Sequence, residues 1–553
     1  MLTAACHTQS ATPVAKRIVT VLLVTELFTL ALGRLHDKVS IFNDCGAVAC
    51  SQSPTTYYIS PTGDDNAAGT SPATAWNTTG PASARLFSSG DAVLFEGGVN
   101  HLLPSGLRLR TSGQLTAPVT ISSYGGFRAR LEVDGSKSSA ISVEDTGAII
   151  IANIDVAHTG GAASKPRFSG VALLSTAAAG VGPRFNDIVV TNVSAAGFLN
   201  GISVDAAGCR GFQRVRIMGC TASGNLGTGI STTGAYGTGC YSHGDIAVVD
   251  STAHDNPGDA SDVSGWSGSG IVLSGVDGAL IMRCLAYRNG AHNGHQGGGP
   301  CGIWFWDTNN GTISHCVSHD NMNGKPPGSS NDGCGFDLDG GSSNSVIEYS
   351  LAFNNSGPGY LLCSFGGPLP ATNLTIRYSV SVGDGDRSAN GAAGVNFYTP
   401  DTLVGISIYG NTLISATSQS PPLIAPTASG PPSDSVHLTS NALMALGGAP
   451  VLDYPSAQLP RRITVMGNAY WAGSLTALSI LWGGVRYTSL ASFRAATGLE
   501  PPSAAGTDSD PQLTGGGHFF EKCVAAWADD SGCAYPDIPN SPSLDAIRGF
   551  AGC

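Results

Sequence analysis

Short apolar runs, each opened by a glycine, recur along the middle of the chain: GISVD, GISTT, GIVLS, GIWFW, GFDLD, GYLLC and GVNFY. Side chains alternate sides along a strand, so these five-residue phrases read as strands with one face in a core. A second set of phrases lies between them: RIMGCTASGN, VVDSTAHDN, IMRCLAYRN, ISHCVSHDN, IEYSLAFNN and IRYSVSVGD. Their last residues, Asn225, Asn256, Asn289, Asn321, Asn355 and Asp384, recur roughly every 30 residues. The coarse reading is two strands per repeat.

A unit of that size cannot bury both faces alone, but stacking successive copies pairs every strand with its equivalents above and below. The pattern therefore predicts a parallel β-solenoid. The recurring Asn suits a tight turn, where its amide can satisfy backbone groups and stack on its equivalent one coil away. Cys220, Cys284 and Cys316 share one inward position with Ser251 and Ser350, which makes them core cysteines rather than zinc ligands.

Composition agrees with many corners and few helices: 75 Gly, 31 Pro and only 12% charged residues in 553. A formal charge of −12, with no clustered Lys or Arg, argues against a nucleic-acid partner. Near the N-terminus, Lys16 and Arg17 precede the apolar run Ile18 to Gly33, which reads as a secretory signal; a type II membrane anchor is the alternative. The run is shorter than a spanning helix needs, and Glu26 interrupts it. With 14 Cys and Cys6 lost with the signal, an odd number would enter an oxidising compartment. Sequons at Asn77, Asn192, Asn310, Asn354 and Asn373 are compatible with a glycosylated, secreted protein.

TYYISPTGDDNAAGTSPATAWNT, GDAVLFEGG with APVTISSYG and LEVDGS, the coils quoted above, and a tail containing GNAYWAG, YTSLASFRAATGLE, GTDSDPQL and SPSLDAI together resemble the pectate-lyase-like superfamily of right-handed β-helix proteins. The resemblance covers the chain from about Thr56 onward and implies an all-β, single-stranded right-handed parallel β-helix with an N-terminal cap and a short C-terminal helical cap. It divides the chain into a signal peptide or anchor (1–33), a linker (34–55), an N-terminal cap with the first coils (56–135), the parallel β-helix (136–470) and a C-terminal capping region (471–553). Asp64 and Asp65 are expected to shape a turn, Ser489 to Glu500 a capping helix, and Cys523 with Cys533 a local disulfide.

The candidate chemistry lies in GFDLD. If Phe336 and Leu338 point inward, Asp337 and Asp339 point outward together, ~6.6 Å apart along the strand. Aligning the glycine-led strands puts Trp304 and Trp306 one coil before them, Leu361 and Cys363 one coil after, and Asn396 and Tyr398 one coil further. Indole faces beside carboxyl and amide groups suit a saccharide, so a polysaccharide is the expected partner of a protein expected to be monomeric. The alternative is that long loops cover the strip and turn the tryptophans into packing residues.

Those loops, PGDASDVSGWSGS, GAHNGHQGGGPC, MNGKPPGSSNDGC and GDRSANGAA, open at one corner and would bring His292, His295, Lys325, Asp332, Asp386 and Arg387 to one side. Two cleavage chemistries stay open. A lyase would hold Ca²⁺ on Asp332, Asp337 and Asp339 and take Lys325 or Arg387 as base, with His295 an outer candidate. A hydrolase would use Asp337 with Asp339 or Asp332 as acid and base. In either case Trp304, Trp306, Tyr398, Asn396 and Arg387 would bind substrate. The competing class is a non-catalytic adhesin or wall-associated protein. Calcium-dependent lyases of the superfamily carry D-G-F and then D-D-G-W-D; this chain has Cys334-Gly335-Phe336 and then Gly357-Pro358-Gly359-Tyr360-Leu361, so most of that set is missing.

Overall fold

The computed structural model describes residues 53–509, except 112–115, 135–137, 161–164, 177–181, 325–331, 365–366, 386–392, 399–402, 425–432, 455–458, 474–476 and 505. Parallel pairing begins at Thr56–Ile59 on Ala92–Glu96 and continues, coil upon coil, to Leu452–Tyr454 on Ile480–Trp482. Among the described residues only the last pair, Ile480–Trp482 with Val485–Tyr487, is antiparallel. The result is a parallel β-solenoid of about eleven turns, as the repeat predicts. One apolar core runs its length, from Tyr57 and Ile59 to Trp482 and Phe493.

Each central coil has three strands, not two. One coil comprises Ile303–Asn309, Thr312–Ser314 and Val317–His319; the next comprises Phe336–Leu338, Ser343–Glu348 and Leu351–Phe353. The extra corner sits inside phrases such as ISHCVSHDN, at a residue in the left-handed region: Asp250, Arg283, His315, Tyr349 and Tyr378, each with φ between 49° and 55°. Non-glycine residues seldom adopt that conformation because Cβ crowds the following carbonyl. Here the stacked coils impose it at equivalent positions, and the absence of a glycine hides the turn from a reading of sequence.

Two buried ladders hold the corners. Each asparagine of the recurring set donates from Nδ2 to the Oδ1 of the next: Asn225 to Asn256 (2.9 Å), Asn256 to Asn289 (2.8 Å), Asn289 to Asn321 (2.9 Å), Asn321 to Asn355 (2.9 Å) and Asn355 to Asp384 (2.8 Å). The same oxygens accept the backbone N–H of the preceding asparagine, as for Asn225 on Asn256 at 3.0 Å. A second ladder runs through the inward cysteines and serines. The Cys220 N–H donates to Ser251 Oγ, the Cys316 N–H to Ser350 Oγ and the Ser379 N–H to Asn411 Oδ1. Cys220, Cys284 and Cys316 are buried free thiols.

That second ladder ends at Glu500, which is 0% exposed and accepts from the N–H groups of Gly467 and Asn468, from Asn468 Nδ2 and from the Tyr470 hydroxyl. Glu500 follows the helix Leu490–Thr497, which Ser489 caps by accepting from the Ser492 N–H and Gly498 terminates at φ 71°. The helix buries Leu490 and Phe493, the latter against Trp482 and Tyr487. At the other end Asp65 accepts from Asn77 and Thr78 N–H groups, both at 2.8 Å, the turn-shaping part expected of it.

Two disulfides are present among the described residues, Cys209–Cys240 and Cys301–Cys334; both suit an oxidising compartment. No described helix is long and apolar enough to cross a membrane. The N-terminal apolar segment and the Cys523, Cys533 pair lie outside the described residues.

Candidate active site

The glycine-led strands stack in the register read from sequence. Trp304 pairs with Asp337, Asp337 with Leu361 and Leu361 with Asn396; one column over, Cys363 pairs with Tyr398. The Asp339 N–H donates to the Phe305 carbonyl at 2.9 Å, which carries the second column from Trp306 through Asp339 to Cys363. Phe305, Phe336, Leu338 and Leu362 fill the core on the other side, so the acids do point outward.

Outward here does not mean exposed. Trp304 retains 3% of its surface and Asp337 2%. A second apolar cluster of Val272, Cys301, Trp304, Cys334, Leu361 and Cys363, with Trp266 and Trp306 against it, roofs that column. Trp266, on the loop after Asn256, meets the Trp304 ring edge-on at 5.0 Å, and Trp304 Nε1 donates to Ser269 Oγ. The expectation that Trp304 offers a sugar platform and Asp337 a solvent-facing carboxyl is therefore corrected: the corner loops fold back over them, and the Cys301–Cys334 disulfide holds the cover. Trp306 and Asp339, one column nearer the edge, stay partly open, and Tyr398 is 47% exposed.

The corner loops pack on one another. The Ser267 N–H donates to Asn293 Oδ1, the Gly333 N–H to the Pro300 carbonyl, and the Gly299 N–H to Asp332 Oδ2 at 2.6 Å. Asp332 thus ties adjacent loops together. His295 is used within its own loop, with Nδ1 2.8 Å from the Gly298 carbonyl and its own carbonyl accepting from Asn293 Nδ2. Asn396 lies in the buried column, its Oδ1 without a partner among the described residues. Lys325 and Arg387, with Asp386, lie outside the described residues.

Asp307 joins the acids and was missed in the sequence. It follows Trp306 at φ 46°, where the preceding coil has Gly275 at φ 68°. The register Ser274 to Trp306 and Val276 to Thr308 sets the two opposite each other. On the following coil Gly341 makes room: a Cβ there would fall 1.9 Å from Asp307 Oδ1. An aspartate in a left-handed corner that its neighbour fills with glycine is the signal a coil alignment could have used.

Low polarity raises all four carboxyls. Burial pushes Asp307 up to about 6, and the charge of Asp339 adds to it. Burial also pushes Asp339 up to about 6, opposed by hydrogen bonds from the Cys363 thiol and the Gly340 N–H. Asp332 rises to about 7 by burial, against the Gly299 N–H. Asp337 is held well above the carboxylate range by burial and then by the charges of Asp339 and Asp332. Burial and the same three acids keep Cys363 a thiol, so it serves as a donor.

Among the described residues, one group places three ligand atoms within 4.8 Å of one another: Cys301, Cys334 and Asp337. Its sulfurs are bonded to each other and cannot ligate a metal. Asp332, Asp337 and Asp339 do not form such a group among the described residues.

The family model for the right-handed β-helix region matches residues 129–413, just over half of the chain. This chain belongs to the right-handed β-helix family. The winding expected of the solenoid is that of the family. No curated protein matches the chain at a significant level. Among solved structures, the fold is similar to a GH136 lacto-N-biosidase from Eubacterium ramulus (15% identity, TM-score 0.49, covering 74% of this chain and 67% of that one). It is also similar to the A-module of the mannuronan C-5 epimerase AlgE6 of Azotobacter vinelandii (12%, 0.47, 68% and 90%) and to pectate lyase Pel9A (14%, 0.38, 67% and 78%). At such identities β-helix members share a scaffold, and activity has to be argued from the side chains.

Proposed function

We propose that this β-helix protein is a secreted polysaccharide hydrolase whose acid and base are Asp307 and Asp339. The observation that carries the reading is that two carboxyls on adjacent coils, both raised to about 6 and the first raised in part by the charge of the second, accompany the half-buried indole of Trp306. Cleavage of a glycosidic bond by paired carboxyls needs one protonated and one ionised group at the working pH. Different hydrogen bonding supplies the asymmetry. Asp339 accepts from the Cys363 thiol and the Gly340 N–H, both of which favour its ionised form; Asp307 has burial and a like charge, both of which favour its protonated form.

In this reading Asp307 delivers its proton to the departing glycosidic oxygen, and Asp339 activates water or attacks the anomeric carbon. Asp337 stays behind the pair as a neutral acid, and Asp332 anchors the loops. The lyase alternative needs a cation or a base on the Asp332, Asp337, Asp339 set, whose carboxyls burial holds toward the protonated form. Reducing-end release from a polysaccharide panel, with calcium or with chelator, while unsaturated product is followed at the same time, tests the reading. New reducing ends without unsaturation, insensitive to chelator, are expected. Unsaturated product that chelator abolishes would transfer the acids to a calcium-dependent lyase, and glycan binding without any product would make the protein an adhesin.

A further inference from the structure

We infer that Tyr236, backed by Trp306, is a saccharide-stacking subsite at the edge of the acid pair, and that it takes an uncharged sugar rather than a uronate. The inference rests on the proposed action on a polysaccharide and adds the class of sugar. Tyr236 is 56% exposed, yet its ring centroid lies 4.9 Å from that of Trp306 at an interplanar angle of 43°. The indole thus props the ring at a tilt while more than half of the tyrosine surface stays open to the C–H face of a sugar ring.

The segment that presents Tyr236 is tied down on several sides. Cys240 is bonded to Cys209 on the preceding coil. The Ala235 N–H donates to Ser242 Oγ at 2.9 Å, and Thr238 Oγ1 donates to the Ala235 carbonyl at 2.6 Å. An exposed aromatic on a loop so constrained loses little freedom when a ligand stacks on it, which is how a weak contact gains affinity. Nothing in the core requires the ring, because the apolar cluster around Trp304 is complete without it.

Charge sets the class of sugar. Asp307 directly follows Trp306, and its N–H donates at 3.0 Å to the carbonyl of Gly340, the residue after Asp339 on the next coil. Tyr241, five residues after Tyr236 along the same segment, senses both Asp277 and Asp307. Arg184, the cation that senses Asp277, has its Nε on the Ser242 carbonyl and its Nη2 on the Tyr241 carbonyl. Lys165 is paired with Asp259 on the loop that carries Trp266. Among the described residues, Asp277 and Asp307 act on the Tyr236 segment at Tyr241, while Arg184 is held by two backbone carbonyls and Lys165 by Asp259, a setting that offers a uronate no unengaged cation and favours hydroxyl groups.

The test is a tryptophan-fluorescence titration of the full chain, in chelator, with neutral xylo-, gluco- and galacto-hexaoses and with oligogalacturonate. At least one neutral hexaose is expected to bind more tightly than the uronate. Tyr236→Ala should weaken it about tenfold, while Tyr236→Phe, which keeps the ring, stays within about twofold of wild type. A Cys209→Ser, Cys240→Ser double variant that melts normally should fall between them. Wild-type affinity in Tyr236→Ala, or tighter binding of the uronate, overturns the inference. Asp339→Asn separates the two ideas. Cleavage lost in that variant while Tyr236→Ala binds normally sinks the subsite and keeps the hydrolase; binding lost in Tyr236→Ala when the wild type cleaves nothing does the reverse.

Discussion

Single side chains set the ionisation of the acid strip. Asp339 differs from Asp307 chiefly in receiving the Cys363 thiol, so Cys363→Ala should raise the Asp339 carboxyl and move the acidic limb of the pH–rate profile upward, with little effect on binding. A profile unchanged in that variant would show that the thiol does not set the ionisation of Asp339. Asp337→Asn should leave most activity in place, because Asp337 lies in the Trp304 column under the apolar cover and not beside Trp306. Loss of activity in Asp337→Asn comparable to that of Asp339→Asn would mean that the roof opens. At this scale the sequence was half legible. Alternation along GFDLD placed Asp337 and Asp339 on the outer face, but burial under loops is a long-range property that no strand pattern encodes. Asp307 escaped because it occupies a corner, where alternation stops.

At the scale of the element, the recurring asparagine reads from sequence as a turn residue whose amide satisfies backbone groups and stacks on its equivalent, and the structure shows the backbone N–H bond and adds an amide-to-amide hydrogen bond along the ladder. Removing a middle rung, as in Asn289→Ala, strips Asn256 of both its N–H and its Nδ2 acceptor in a fully buried setting. Such losses typically cost about 1–3 kcal/mol for each unsatisfied group. Chemical denaturation should therefore show a drop of that order, and a change below about 0.5 kcal/mol would contradict the ladder's part in stability. The third strand of each coil was not legible for a related reason. Its corner is formed by Asp250, Arg283, His315, Tyr349 and Tyr378, residues whose local preference is for other conformations. Stacking against the neighbouring coils decides the backbone there, and a search for glycine passes over it.

For the whole molecule, the solenoid makes one continuous core, and on its outer side one strip gathers several buried acids. Asp307 is 7% exposed and its carboxyl is raised from an ordinary 3.8 to about 6. Between those values the folded chain holds a proton that the unfolded chain has released. Stability from this group is then present in full below about pH 4 and declines as pH rises through 6, by about 2–3 kcal/mol. Asp332, raised to about 7, acts in the same sense. Paired carboxylates such as Asp255, lowered by Arg288 and His254 against its own burial, act in the opposite sense at more acidic pH. Melting of wild type and Asp307→Asn between pH 4.5 and 7 isolates the term: the variant should lose less stability over that range, and parallel curves would remove Asp307 from the buried cluster. The fold itself was the most legible level, because a repeat records the stacking of coils in the order of residues.

In the proposed reaction Asp307 and Asp339 act as a pair. Its most direct test is the pH dependence of reducing-end release from the best neutral polysaccharide, measured for wild type, Asp307→Asn and Asp339→Asn, each checked for an unchanged melting profile. The account predicts a bell with its maximum near pH 6, where one carboxyl of the pair is protonated and the other ionised, and a loss of at least about 100-fold in either variant. A folded Asp339→Asn protein that cleaves at the wild-type rate, or a rate indifferent to pH between 4 and 8, would contradict it.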